Sequence, residues 1–532
     1  MKRKIINSVL AVMMLVSVNS CSKKFDKYFD DPNRPTEVPA SLILNGVLND
    51  LAYRPWDLTQ RWSQFTCCNY NYYGNQEYNW TGASLNYTTL KNVMKMEEEA
   101  KKAGAADVNP YSALGKFFRA YFFYQMTMKV GDLPLSEALQ SLDNPLPKYD
   151  SQKEVFRQIL TWLDQANTDL AGLINKADVS LLGDFYFNND LRKWQKVVNT
   201  FTLRVLISLS KKEADADLSI KAKFAQITGN KTAYPVLENM QDNLLYVYNP
   251  SFNKYPINPD NYGFDATRYN FAATYLNKLS QLKDPRVFIV AEPAGKKIKD
   301  GLSPTDPAAF VGASSAQDLA DMSTKGGTDN GPGFLPGEYS LFNRKRYYSN
   351  YIAENTIIVG YPELCFNMAE AINRGWITGN AEDWYIKGIQ ASQGFYGLKA
   401  GNNDVFFIKA GGNPLNAADY NKYTINHDWA TYYAQPAVLY AGNNATGLNQ
   451  ILTQKHLAFF ANSGWEAYNN FLRTGVPVFV SGGPGTGNSG LLPKRFQYPI
   501  SERTTNNTNW TSAVQSQYAG NDNINAEMWL LK

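Results

Sequence analysis

Tyr111-Ser-Ala-Leu-Gly-Lys-Phe-Phe-Arg-Ala-Tyr-Phe-Phe-Tyr-Gln-Met-Thr-Met-Lys-Val130, followed by Gly131-Asp132-Leu133-Pro134, is the stretch that decides the fold. Phe117, Phe118, Ala120, Tyr121, Phe122, Phe123, Tyr124, Met126 and Met128 leave no polar face on a helix. A helix apolar nearly all round belongs in the middle of a core, with other helices on every side. Gly131 and Pro134 end it. Outward from this stretch the same period recurs. Ser151-Gln-Lys-Glu154 reads as a capping box, and Val155, Ile159, Leu163, Ala166 and Leu170 then fall on one face. Further helices are expected over 41–53, 87–103, 191–211, 269–282, 361–378, 381–396 and 448–473. Many fall in adjacent pairs, as in stacked helical hairpins, although no clean repeat period runs through the chain.

Between the helices lie long tracts rich in Gly, Pro, Asn and Asp, over 291–346, 399–447 and 476–525. Tracts of that length in a folded protein are functional or mobile. Strand-like signals are short, at 245–248, 287–291 and 476–480. The expected class is mainly α: helical hairpins packed against a loop-rich region with little β.

The chain has 52 Lys and Arg against 48 Asp and Glu, and no basic block points to nucleic acid. It carries 34 Tyr, 28 Phe and 11 Trp but only 2 His. Aromatic rings supply packing area and flat stacking faces, whereas histidine supplies acid–base chemistry and metal ligands near neutral pH. Lys2, Arg3 and Lys4 precede an apolar run that ends at Val18-Asn19-Ser20-Cys21. This reads as a lipoprotein signal peptide over residues 1–20, with Cys21 as the lipidated first residue of a mature chain, 21–532. One acyl chain alone anchors only marginally. Three cysteines remain, Cys67, Cys68 and Cys365; a bridge from Cys365 to either neighbour and three free thiols both stay open.

A wider set of motifs falls in one order. Asp31-Pro-Asn-Arg-Pro-Thr-Glu-Val38 and Leu42-Ile-Leu-Asn45 come first. The aromatic helix with Gly131-Asp132-Leu133-Pro134-Leu135 follows, then Asp284-Pro285-Arg286-Val287. Tyr361-Pro-Glu-Leu-Cys-Phe-Asn-Met-Ala-Glu-Ala371, Gln454-Lys455, Glu466-Ala467-Tyr468, Arg473-Thr-Gly-Val-Pro477 and Lys494-Arg495-Phe496-Gln497-Tyr498-Pro499 complete the series. In this order the chain resembles the SusD/RagB-like outer-membrane nutrient-binding lipoproteins, and within them the second SusD-like subfamily. The resemblance implies four tetratricopeptide-like helix pairs packed against a loop-rich region, and no catalysis. It implies an outer-membrane, lipid-anchored, cell-surface protein with palmitate on its cysteine. Its partner would be a TonB-dependent transporter, which it serves in nutrient uptake by capturing an oligosaccharide or, alternatively, an oligopeptide. No cofactor is implied.

The candidate binding residues are aromatic. Trp62, Tyr70, Tyr72, Tyr73, Tyr78 and Trp80 interleave with Asn69, Asn71, Asn75, Gln76 and Glu77. A flat ring covers the apolar face of a sugar while amides and guanidinium groups reach its hydroxyl rim; the same chemistry suits a peptide. Trp80 and Tyr73, with Asn75 as a polar contact, head the expected site, with Tyr72, Tyr70 and Trp62 beside them. A second cluster, Tyr255, Tyr262, Phe264, Arg268 and Tyr269, adds Tyr262 and Arg268 to the candidates, although taken alone it reads as structural. Against this stands the plain alternative that some of these rings fill the core. A third cluster, at 342–351, reads as structural.

The scan for catalysis is nearly empty. His427 precedes Asp428, and His456 lies among Lys455, Leu457 and Phe459 on a helix. No metal-ligand spacing occurs. Gly485-Thr-Gly-Asn-Ser-Gly490 matches a dinucleotide fingerprint but leads into Leu491-Leu-Pro493, so it reads as a flexible loop. A glycoside hydrolase is the alternative from another class, and it needs two opposed carboxylates that no motif singles out. A purely structural envelope protein would show no open aromatic patch.

Overall fold

The structure is a computed structural model that describes residues 38–327 and 336–532. Cys21 and the expected signal peptide lie outside the described residues. The decisive stretch forms helix α3, Pro110–Val130, preceded by α1, Ala40–Asn49, and α2, Tyr87–Lys102. Asn109 opens α3: its side chain accepts from the N–H groups of Tyr111 (2.9 Å) and Ser112 (3.0 Å), and Ser112 Oγ accepts the Asn109 N–H at 3.0 Å. Pro110 sits at the first position, where a missing N–H costs nothing. Gly131 closes the helix at φ 89°, a left-handed value that favours glycine. Every residue of α3 is buried except Ser112, Lys116, Arg119 and Lys129. Two of these four fix its neighbours: Arg119 pairs with Glu97 of α2, and Lys116 with Asp169 of α4, Gln152–Asn175. Gly115 lets α2 approach, since a Cβ there would run into the Glu97 carboxylate.

The stack continues with α5, Leu191–Ser208, and α6, Ile220–Gly229. Helix α7, Ala273–Gln281, belongs to the loop-rich part. The second half returns α8, Tyr361–Asn373, and α9, Ala381–Phe395, to the frame. Pairs α1–α2, α3–α4, α5–α6 and α8–α9 pack in succession, with α8 against α5. These four pairs are the tetratricopeptide-like frame. Helices α10, Ala445–Ala458, and α11, Glu466–Thr474, follow, with α12, Asn507–Tyr518, near the end. One core fills the frame, with Phe117, Trp194 and Phe201 at its centre. A second fills the loop-rich part around Tyr275, Tyr347 and Phe460.

Two motif residues tie the halves together. Glu370 of α8, fully buried, accepts Arg473 of α11 at 2.5 and 2.9 Å and Arg374 at 2.9 Å. Its carboxyl bears a burial cost, but the Arg473, Lys455 and Arg374 charges outweigh that and hold it down at about 2. Asp284 receives Arg286 in a two-point grip (2.9 and 2.7 Å), and the same guanidinium reaches Ser392 of α9 and Gln454 of α10. The Asp-Pro-Arg turn is thus a structural clasp.

Several expected elements differ. The helix expected over 269–282 shrinks to α7, because Tyr269–Phe271 is a strand. The helix expected over 448–473 is two, since Ala461, Ser463 and Gly464 all take positive φ between α10 and α11. Val287–Val290 is a helical turn rather than the expected strand. The longest hairpin, Gly401–Ile408 with Tyr420–His427, lies in a tract expected to be loop. Two small antiparallel pairs also form: β1, Thr66–Cys68, with β3, Tyr269–Phe271, and β2, Leu244–Tyr246, with β4, Thr356–Val359. Cys67, Cys68 and Cys365 are buried free thiols.

Candidate functional site

The segment 57–80 is built from local signals. Asp57 caps the short helix Leu58–Trp62 by accepting the Thr59 N–H at 2.9 Å. Strand β1 then buries all three of its residues and sets Cys68 opposite Tyr269 of β3, two hundred residues on. Asn69 extends the pairing, its N–H donating to Arg268 O at 2.9 Å and its Nδ2 to Thr267 O at 3.0 Å. Gln76 closes the excursion that follows, since its Oε1 accepts the Cys68 N–H at 2.6 Å and its Nε2 donates to Cys68 O at 2.9 Å. Residues 70–75 therefore project as a pinned loop. Asn71–Tyr73 forms a single 3₁₀ turn, ended by Gly74 at φ 118°. Arg61 props the loop from below through Tyr73 O (3.5 Å) and Asn75 O (3.2 Å).

This arrangement brings together two clusters that are far apart in sequence. Tyr73 meets Tyr72 edge-on at 5.2 Å, Tyr70 at 6.3 Å and Tyr269 at 5.9 Å. The Arg268 guanidinium lies 4.4 Å from the Tyr70 ring centre, a cation–π contact. Tyr72 is 85% exposed and Tyr70 44%. Partial burial, with Asp265 nearby, pushes the Tyr73 hydroxyl up, and burial pushes Tyr269 up to about 12. Both stay protonated near neutral pH and remain hydrogen-bond donors. The result is an open patch of rings beside the Arg268 cation.

The other expected residues lie elsewhere or act differently. Trp80 is 6% exposed, stacked on Phe496 at 4.2 Å and 11° and enclosed by Tyr468, Trp62 and Trp465. It presents no free face, so its expected role as the leading stacking ring is corrected to core packing. Trp62 is half-buried against the same cluster, its Nε1 donating to Glu77 O at 2.9 Å. Asn75 uses its Oδ1 to accept the Glu77 N–H at 3.0 Å and shapes the turn. Tyr262 is half-buried and donates to Gly412 O at 3.2 Å, tying its segment to the loop of the long hairpin. Arg61 and Gly74 carry no signal of this kind in the sequence. Neither is aromatic, and each acts by placing its neighbours.

The structure gives no catalytic arrangement to the histidines. His427 Nε2 faces Gln393 Oε1 at 3.1 Å, while Asp428 instead caps the turn that follows by accepting from the Ala430 N–H. His456 is buried against Phe65, and burial pushes it down to about 3. No group of three or more metal-ligating side chains occurs among the described residues. The Gly485–Gly490 loop, expected to be flexible, is pinned: the Tyr78 N–H donates to Thr486 O at 2.7 Å and the Asn488 N–H to Asn79 Oδ1 at 2.7 Å.

The SusD-like family model described as starch-binding and associating with the outer membrane matches residues 32–499. A SusD homologue from Bacteroides fragilis NCTC 9343 is similar with a TM-score of 0.78 at 29% identity, covering 93% of this chain and 100% of its own. A second from the same strain gives 0.75 at 30% identity, with the same coverage. A chitin-binding SusD homologue from Flavobacterium johnsoniae shares the fold, with a TM-score of 0.67 at 20% identity over 93% of this chain and 98% of its own. A search of curated proteins finds no significant match. The chain belongs to the SusD-like family of outer-membrane nutrient-binding proteins.

Proposed function

We propose that this protein captures a glycan on the Tyr70–Tyr72–Tyr73–Tyr269 patch and delivers it to a TonB-dependent transporter without transforming it. The observation that carries the reading is the open ring surface beside Arg268: rings cover the apolar face of a sugar, and the guanidinium reaches its hydroxyls. The family description names starch, and a structural relative is described as chitin-binding; both are polysaccharides. Lipidation at Cys21, after loss of residues 1–20, would hold the mature chain at the outer membrane, facing the cell surface.

The test is a binding screen of the mature protein against polysaccharides and oligopeptides, repeated with Tyr72→Ala/Tyr73→Ala. Binding of a glycan that weakens in the double variant supports the proposal. Binding of peptides alone, or glycan affinity indifferent to both tyrosines, overturns it. Fatty-acid labelling that persists in Cys21→Ala removes the anchor.

A further inference from the structure

A cavity of about 860 Å³ opens between the end of α1, the start of α2, one face of α3 and the turn after β2. It shares no lining residue with the tyrosine patch. Its volume lies in the range of small-ligand sites and is far larger than one inorganic anion needs.

The charges around it are unbalanced. Arg54 lines the cavity and is exposed, and it makes no ion pair among the described residues. Lys129, half-buried on α3, likewise makes none; its Nζ reaches only Ser84 O at 3.4 Å and lies 6.0 Å from the Tyr53 ring centre. Burial pushes the Lys129 ammonium down to about 8, with Asp57 opposing that shift. The third lining cation, Lys254, is already paired with Asp260 at 2.6 Å. Asp50 is the one carboxylate in the lining, and it accepts the Thr89 hydroxyl at 2.6 Å. At the rim stands Phe252, 95% exposed, on a turn whose ends are held by paired bonds between Asn249 and Asn253 at 2.7 and 3.2 Å.

We propose that this cavity is a second ligand site and that it takes an acidic saccharide, a sugar bearing a carboxylate or a sulfate. Arg54 and Lys129 receive the anionic group through charge-assisted hydrogen bonds. Tyr53 and Phe252 offer faces to the sugar's C–H surface, and the amides and hydroxyls of the wall suit its hydroxyl rim. An acidic peptide would satisfy the same groups, so the choice of a saccharide rests on the glycan reading above, and binding of the peptide alone is an outcome that overturns it.

The probes are trigalacturonate, a sulfated disaccharide, maltotriose and a Glu-containing tripeptide, titrated calorimetrically at low salt. Trigalacturonate or the sulfated sugar is expected to bind, and the better of the two identifies the anionic group. Arg54→Gln should weaken that binding about tenfold, a loss of about 1.4 kcal/mol. Arg54 is exposed, so this variant leaves the frame intact, with circular dichroism as the control. Lys129→Gln should act in the same direction. Tyr72→Ala/Tyr73→Ala should leave it unchanged, which separates this proposal from the glycan patch. Failure of both acidic sugars to bind, binding indifferent to Arg54, or binding of the peptide alone overturns it.

Discussion

Trp80 and Tyr72 lie eight residues apart and use the same chemistry in opposite ways. Around Trp80 the rings of Trp62, Trp465, Tyr468 and Phe496 close on one another and exclude water. Around Tyr72 the rings of Tyr70, Tyr73 and Tyr269 gather at their edges, and Tyr72 and Tyr70 stay open to solvent. What differs is the partner, not the ring. The first cluster has the end of the chain, through Phe496 and Tyr468, laid over it. The second has only a strand beside it and an arginine prop beneath.

The comparison can be broken by mutation, the largest effect first. Trp80→Ala should destabilise the fold by about 3–5 kcal/mol, the range for emptying a large aromatic core position. Urea unfolding measures it, and a loss under about 1 kcal/mol would return Trp80 to the surface. Gln76→Ala should come next, at about 1–3 kcal/mol, because it strands the Cys68 N–H and C=O between the strand and the loop. It should also lower ligand affinity by loosening residues 70–75, which distinguishes it from a core defect. Tyr73→Ala should leave unfolding nearly unchanged and weaken glycan binding several-fold, as a stacking contact of roughly 1 kcal/mol requires. Tyr72→Phe keeps the ring, so its effect on affinity should be the smallest, and a large one would show that the hydroxyl carries the contact.

A further measurement concerns the seam between the halves. Folding depresses the Glu370 carboxyl to about 2, below its unfolded value of 4.5. Its stabilisation is therefore complete above about pH 4.5 and lost as pH falls toward 2. Glu370→Gln should abolish that part of the acid dependence and cost about 3–5 kcal/mol at neutral pH, because Arg473 and Lys455 are left buried without their counter-charge.

The frame was legible because its signals are local. The Ser151 cap of α4 and the continuous apolar run of α3 each act within one helix. The strand Tyr269–Phe271 was not, because its partner is the segment 66–68 and nothing near it announces a pairing across two hundred positions. The long hairpin was hidden by its Gly- and Asn-rich composition. In the site, both ring clusters were visible, but their meeting was not. The alternation of rings with amides also misled at Trp80: Asn69 and Gln76 are buried and hold backbone, rather than reaching for a ligand.

The pairing of β1 with β3 has a consequence for the order of events during synthesis. Three of the four rings of the tyrosine patch are made early in the chain, and the fourth, with Arg268 beside it, only once Tyr269 has emerged. A contact of such long sequence separation is slow to close, since loop entropy must be overcome before the pairing rewards it. The completed patch is therefore a late feature of the growing molecule, and a chain halted before its middle would hold the rings of residues 70–73 without Tyr269 beside them.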